Sequence, residues 1–227
     1  MSWSILKLLM FQSLFTSPPL GEDGGYDFFY FVLQWPGAYC DTTRSCCYPT
    51  SGKPEADFGI NGLLPNRNDG TYPSNCDPDS ELDRSQISDL ISSLTKKWPK
   101  LSCPSNEGFE LWKRAWSKQG TCAQNIMSQH GYFQAALRFK DQIDLLQILT
   151  NSGIKPDDGF YGLKEITNAI EEAIGFTPGI DCNKDPEGND QLYHIYVCVD
   201  YSATRFIECP VWPGGRTCSP QIQFAKF

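Results

Sequence analysis

Histidine is scarce in this chain: two among 227 residues, His130 and His194. Imidazole is the side chain whose ordinary pKa lets it exchange protons near neutrality, so acid–base chemistry here has few groups to run on. Basic residues are also in the minority, 19 Lys and Arg against 27 Asp and Glu, which gives a net charge of -8 and a pI near 4.8. A surface of that sign repels a polyanion as a whole and excludes a general nucleic-acid coat protein. A pocket where Lys and Arg converge can still oppose the global field. No N-x-S/T sequon occurs, so no N-linked glycan is expected. No apolar run is long enough to span a bilayer, and no repeat or low-complexity tract divides the chain. At this length one compact domain with a sizeable core is expected.

Cysteine, by contrast, is abundant. The ten residues Cys40, Cys46, Cys47, Cys76, Cys103, Cys122, Cys182, Cys198, Cys209 and Cys218 are even in number and not spaced as CxxC pairs. They read as five disulfides formed in an oxidising compartment. Zinc is the rival use, but zinc sites favour clustered pairs with histidine support, and neither histidine stands beside a cysteine pair. No metal or other cofactor is expected. Which cysteine joins which does not follow from spacing. Disulfides demand a secretory route, and residues 1–25 read as a degenerate leader: Lys7, an apolar run from Leu8 to Phe15 interrupted by Gln12, then Thr16 and Ser17. Residues 26–227 form the domain, expected to be a secreted or vacuolar monomer that does not engage a membrane.

Along that domain, YDFFYFVLQWPGAYC from Tyr26 is an aromatic and β-branched run ending at a Trp-Pro-Gly turn, which predicts a central strand. The segment from Cys40 to Pro54 is turn-rich and reads as a loop. DFGING then enters as a short strand. Ser85 to Trp98 carries Ile87, Leu90, Ile91 and Leu94 at helical spacing, with Asp83 or Ser85 as cap and Pro99 as stop. Phe109 to Gln119 reads as a second helix with Leu111, Trp112, Ala115 and Trp116 as its apolar stripe, ended by Gly120. Further helices are expected over Gly131 to Leu149 and Leu163 to Ile174. Strands follow at GIDCNK, at LYHIYVCVD with its alternation of Tyr193, Ile195, Val197 and Val199, at TRFIECP and at QIQFAKF. Helices between two sets of strands predict an α+β fold, with a central, mostly antiparallel sheet and a layer of helices.

Two segments give the chain a resemblance. FGINGLLPNRNDGTYPSNC (Phe58 to Cys76) and FELWKRAWSKQGTC (Phe109 to Cys122) resemble the two active-site segments of the ribonuclease T2 family, in its plant S-like branch. FVLQWPGAYC, GTYPSNC, SKQGTC and the terminal cysteine pattern occur in the family's order, so the resemblance covers Tyr26 to Phe227. It implies a ribonuclease T2-like fold and the pairs Cys40–Cys46, Cys47–Cys103, Cys76–Cys122, Cys182–Cys218 and Cys198–Cys209. It also implies that Gln34 and Tyr39 lie at base-binding positions, although Tyr39 packed beside a disulfide is the plainer alternative.

What the resemblance implies about chemistry is mostly loss. Family members cleave RNA by attack of the ribose 2′-hydroxyl on phosphorus, giving a 2′,3′-cyclic phosphate, with one histidine taking a proton and another giving one. At the family's proton-handling positions this chain has Asn61, Arg114, Ala115 and Gln119, and Leu64 stands where a tryptophan is usual. Asn and Gln do not titrate, and Arg stays charged, so none replaces imidazole. Lys118 matches the family's phosphate-facing lysine, and Arg114 adds a donor fork suited to phosphate. Without the resemblance, the helix is simply amphipathic with a solvated basic face. The expectation is a ribonuclease-like protein without catalytic activity, serving storage or defence, with residual binding of RNA or nucleotides. The alternatives are a weak endoribonuclease working through Lys118 and Arg114, and a recognition protein of the self-incompatibility type. His130 and His194 fall outside both segments and read as surface or satisfied-core histidines, not as a relocated catalytic pair.

Overall fold

The structure, a computed structural model, describes residues 25–214 and 218–227. Residues 1–24 of the expected leader lie outside the described residues.

Strand β1 (Phe28–Gln34) is buried throughout except at Gln34, because it is sandwiched by strands on both edges and by side chains on both faces. Alternation divides its residues. Phe29, Phe31 and Leu33 enter the main core, while Phe28, Tyr30 and Val32 form a second cluster with Cys198. Its neighbours are β2 (Gly59–Asn66) and the eleven-residue β5 (Asp190–Asp200), both antiparallel to it. Beyond β5 come β4 (Gly179–Lys184), the short β6 (Phe206–Ile207), and β7 (Gln221–Gln223), which continues to β3 (Phe160–Gly162). Among the described residues only the β5–β7 pairing is parallel. The expected α+β architecture with a mostly antiparallel sheet is therefore present.

The helices cover one side of this sheet and fill the main core with Leu94, Trp98, Trp112, Trp116, Phe133 and Phe139. Two of the predicted helices are broken. Ser85 to Trp98 divides into a 3₁₀ turn at Arg84–Ile87 and helix α2 (Ile91–Lys97), with Asp83 accepting from the Ser85 amide at the start. Gly131 to Leu149 divides into α4 (Gln129–Gln142) and α5 (Leu145–Asn151), because Ile143 is extended and buried and Asp144 caps the next helix by accepting from Gln147 N. Leu163 to Ile174 forms α6 as expected. The Trp-Pro-Gly segment is not a turn: Pro36–Cys40 is a one-turn helix, α1, with proline in its first turn, a position where its missing N–H is not needed. Strand β3 carried no sequence signal.

Five disulfides, Cys40–Cys46, Cys47–Cys103, Cys76–Cys122, Cys182–Cys218 and Cys198–Cys209, join the same pairs that the resemblance implies, and no cysteine is free. Among the described residues no helix is long and apolar enough to cross a membrane.

Candidate active site

The first segment lies on β2, whose register against β1 slips at one point. Val32 faces Gly62 and Leu33 faces Ile60, so Asn61 is an extra residue, a β-bulge. Such bulges re-aim a side chain, and Asn61 is exposed while Ile60, Gly62 and Leu63 are buried. The bulge is backed by α4, where Tyr132 Oη donates to Leu63 O at 2.8 Å from the core. Asn61 Nδ2 donates to Gln34 Oε1 at 2.9 Å. The two amides, predicted for different roles, are thus in contact.

The second segment is helix α3 (Phe109–Lys118), followed by a 3₁₀ turn at Gly120–Ala123. It starts at Gly108, whose φ of 92° is a left-handed conformation that favours glycine. Two indoles fix its position: Trp112 Nε1 donates to Trp98 O at 3.1 Å and Trp116 Nε1 to Ser80 O at 3.0 Å. With Trp112, Ala115 and Trp116 buried, Arg114 is exposed and Lys118 and Gln119 are half-buried. Neither Arg114 nor Lys118 makes an ion pair among the described residues, whereas Lys113 pairs with Glu81 at 3.4 Å and Arg84 with Glu107 at 3.4 Å.

The two segments are joined covalently and by backbone. Cys76–Cys122 links the end of the first to the end of the second, Asn75 N donates to Lys118 O at 3.0 Å, and the 3₁₀ turn packs on β2. Beside Gln34 lies a cavity of about 290 Å³ walled by Gly59, Asp57, Lys96, Lys97 and Lys140. Lys140 is buried and pairs with Asp57 at 2.7 Å.

Tyr39 is linked to the Asn61–Gln34 contact only through the rings of Tyr193 and His194. It sits on α1, half-buried, with its ring stacked 6.5 Å from that of Tyr193. His130 is bonded instead to Asp89 at 2.9 Å near the start of α4.

His194 is a residue that sequence reading weighed and set aside. Opposite Gln34 in the β1–β5 register, its Nε2 is 3.2 Å from Gln34 Oε1, and its Nδ1 is 3.7 Å from Asp181 Oδ2 across β4. Alternation within LYHIYVCVD places it on the face opposite Ile195 and Val197, but which strand lies next to it is a long-range fact that no local pattern carries.

The comparisons with known proteins agree with this architecture. The chain is 60% identical over 203 residues to the extracellular ribonuclease LE of Solanum lycopersicum, covering 89% of this chain and 88% of that protein. It is 31% identical over 189 residues to a ribonuclease-like storage protein of Panax ginseng, covering 83% and 77%. Its fold matches the crystal structure of RNase NT in complex with 5′-AMP at a TM-score of 0.86 and 53% identity, over 89% of this chain and 99% of that one. The model of the Ribonuclease T2 family matches residues 26–209, nearly all of the sheet and every helix described above, and the chain belongs to that family.

Proposed function

We propose that this is a ribonuclease T2 family protein whose cleft still receives a phosphate or nucleotide but no longer cleaves RNA. The contact between Asn61 and Gln34 carries that reading. The position that the resemblance gives to a catalytic histidine holds an amide tied to a second amide, and neither group can take up or release a proton in turnover. Arg114, Ala115 and Gln119 leave α3 without an imidazole or a carboxylate at the matching places. General acid–base groups are each worth roughly 10² to 10⁴ in rate, so turnover several orders of magnitude below that of active family members is the consequence.

Charge supports retained binding. Arg114 and Lys118 stand one helical turn apart on the accessible side of α3 and have no carboxylate partner among the described residues, so they are available to phosphate oxygens. RNase NT has been crystallised with 5′-AMP, which makes a nucleotide the natural first ligand to test. The ginseng relative is a ribonuclease-like storage protein, and storage or defence is the role we infer here, reached by the secretory route that five disulfides require.

Calorimetry with 5′-AMP at low salt tests the binding half. We expect a Kd tighter than about 1 mM, weakened roughly tenfold in Arg114→Ala, since a charge-assisted hydrogen bond contributes about 1.5–3 kcal/mol. Zymography on RNA gels tests the other half. No cleared band is expected; a band that disappears in Lys118→Ala would establish the weak endoribonuclease instead.

A further inference from the structure

Four polar side chains stand in a row on four neighbouring strands: Asn61 on β2, Gln34 on β1, His194 on β5 and Asp181 on β4. The registers place Gln34 opposite His194 and His194 opposite Asp181. Gln34 Oε1 receives the Asn61 amide at 2.9 Å and lies 3.2 Å from His194 Nε2. His194, only 13% exposed, turns its Nδ1 toward Asp181 Oδ2 at 3.7 Å, and that buried Nδ1 has no hydrogen-bond partner among the described residues.

Proton counting decides which state this arrangement fits. Gln34 Oε1 already accepts from Asn61, so Nε2 can pair with it only while carrying a proton. In a neutral ring that proton is the only one. Nδ1 would then turn a lone pair toward a carboxylate, two acceptors with nothing between them. The imidazolium donates to Gln34 through Nε2 and turns a charged N–H toward the Asp181 carboxylate at ion-pair distance through Nδ1. When it loses a proton to solvent, the ring keeps the one on Nδ1, where Asp181 attracts it, and Nε2 becomes an acceptor. Gln34 then answers by turning its amide over, so that Nε2 of Gln34 donates to the ring, and the Asn61 amide turns with it so that its Oδ1 accepts the second N–H.

We propose that His194, held by Asp181, sets which way round the Gln34 amide stands and hence which hydrogen-bonding groups the cleft offers a base. With the ring charged, Gln34 presents N–H donors and suits a carbonyl edge such as that of uracil. With the ring neutral, it presents a carbonyl and suits an amino edge such as that of cytosine. His194 is a positioning residue here, not a catalytic one, because Gln34 stands between it and Asn61. The base-reading half of this inference rests on the nucleotide-binding function proposed above; the amide reversal does not.

Few other charges act on His194. From its own strand come Tyr193, stacked at 3.8 Å, and Tyr196, edge-on at 6.1 Å. Tyr39 of α1 lies behind Tyr193 and Tyr30 of β1 against Tyr196. Burial, then the neighbouring phenols and Asp181, pushes Tyr193 up to about 12, and burial followed by Asp181 does the same to Tyr196. Those two rings therefore carry no charge near neutrality. Asp181 is the only ion-pair partner of His194 among the described residues.

The test begins without ligand. Nitrogen NMR of the histidine ring and of the Gln34 side-chain amide, followed across the histidine titration, should show both ring nitrogens protonated at low pH and only Nδ1 afterwards. The Gln34 amide signals should move with the same midpoint, and neither change should occur in His194→Phe or, should that variant fold poorly, in His194→Gln. A neutral ring protonated on Nε2, or a Gln34 amide that stays still while the ring titrates, overturns the proposal. Calorimetry with 5′-UMP and 5′-CMP at the two ends of the titration should then show an affinity ratio that changes at least fivefold in the parent protein and stays constant in the variants. If neither nucleotide binds at either pH, the nucleotide function falls, while the NMR result still decides whether His194 turns Gln34.

Discussion

Asn61 and a histidine in its place can both donate to Gln34, but only the histidine can give its proton away and take another. The bulge that exposes position 61 is formed by the backbone of β2 against β1, and so should persist when the side chain changes. The combined variant Asn61→His, Arg114→His, Ala115→Glu and Gln119→His is therefore expected to gain RNA cleavage of at least about 100-fold over the parent, read as release of acid-soluble nucleotides. Asn61→His by itself should gain little, because catalytic groups act as a unit. The demanding member is Ala115→Glu. Ala115 is 8% exposed between Trp112 and Trp116, so a carboxylate there must reach Lys118, one turn on, to avoid being buried unpaired. These positions were legible in the sequence because intact neighbours frame them: Gly62 and Pro65 in the first segment, Trp112 and Gly120–Cys122 in the second. His194 and Asp181 had no such frame, and their link to Gln34 exists only through strand pairing.

The joint between α3 and the following 3₁₀ turn decides whether Lys118 and Gln119 keep their places. Gly120 sits under the Trp116 ring, and a Cβ there would come within 2.2 Å of Trp116 Cε3 and 2.9 Å of Cζ3. The indole cannot yield easily, since its Nε1 is engaged with Ser80 O. Gly120→Ala is expected to cost about 1–3 kcal/mol through overpacking, seen as a lower Tm in calorimetry, and to weaken nucleotide binding by displacing Lys118. A Tm equal to that of the parent would show that the turn accommodates the methyl group. At this scale the sequence was most readable where one element is long and uniformly patterned, as in α3 and α6. It misled where periodicity ran through a break. Ile143 keeps the helical spacing of its stretch yet is extended, because burying it while Asp144 starts a new cap satisfies both the core and the backbone. Trp35 and Pro36 suggested a turn, but the chain continues into α1. There Gly37 is pressed so closely against the C-terminal segment that a Cβ on it would lie 2.5 Å from Lys226 O, a contact that arrives from the other end of the chain.

Across the whole molecule, carboxylates tie the late strands to the sheet. Asp190, buried on β5, holds Lys184 at 2.7 Å and accepts from Ser219 N at 2.8 Å next to the Cys182–Cys218 bridge. Asp158 holds Lys226 by its ammonium at 2.8 Å and by its backbone N–H at 2.8 Å. The Lys226 ammonium, helped by that N–H, keeps the Asp158 carboxyl below its ordinary pKa. At Asp190 burial works in the opposite direction, but the Lys184 contact and the Ser219 donors outweigh it, and the pKa is again lowered. A carboxyl whose folded pKa lies below its unfolded value of about 3.9 stabilises the fold fully above that pH. The stabilisation is lost as the pH falls through the depressed folded value. Asp158→Asn and Asp190→Asn should therefore unfold at lower urea than the parent near neutrality, with the gap narrowing below about pH 4 and closing once the parent's own carboxyls are protonated. Asp190→Asn should show the larger gap, since its partners are held near the sheet, whereas Asp158 and Lys226 are exposed and their attraction is screened by solvent. Urea midpoints measured from about pH 7 down to about pH 2 check this, and a gap that stays constant over that range would mean that the two side chains act through packing and not through charge.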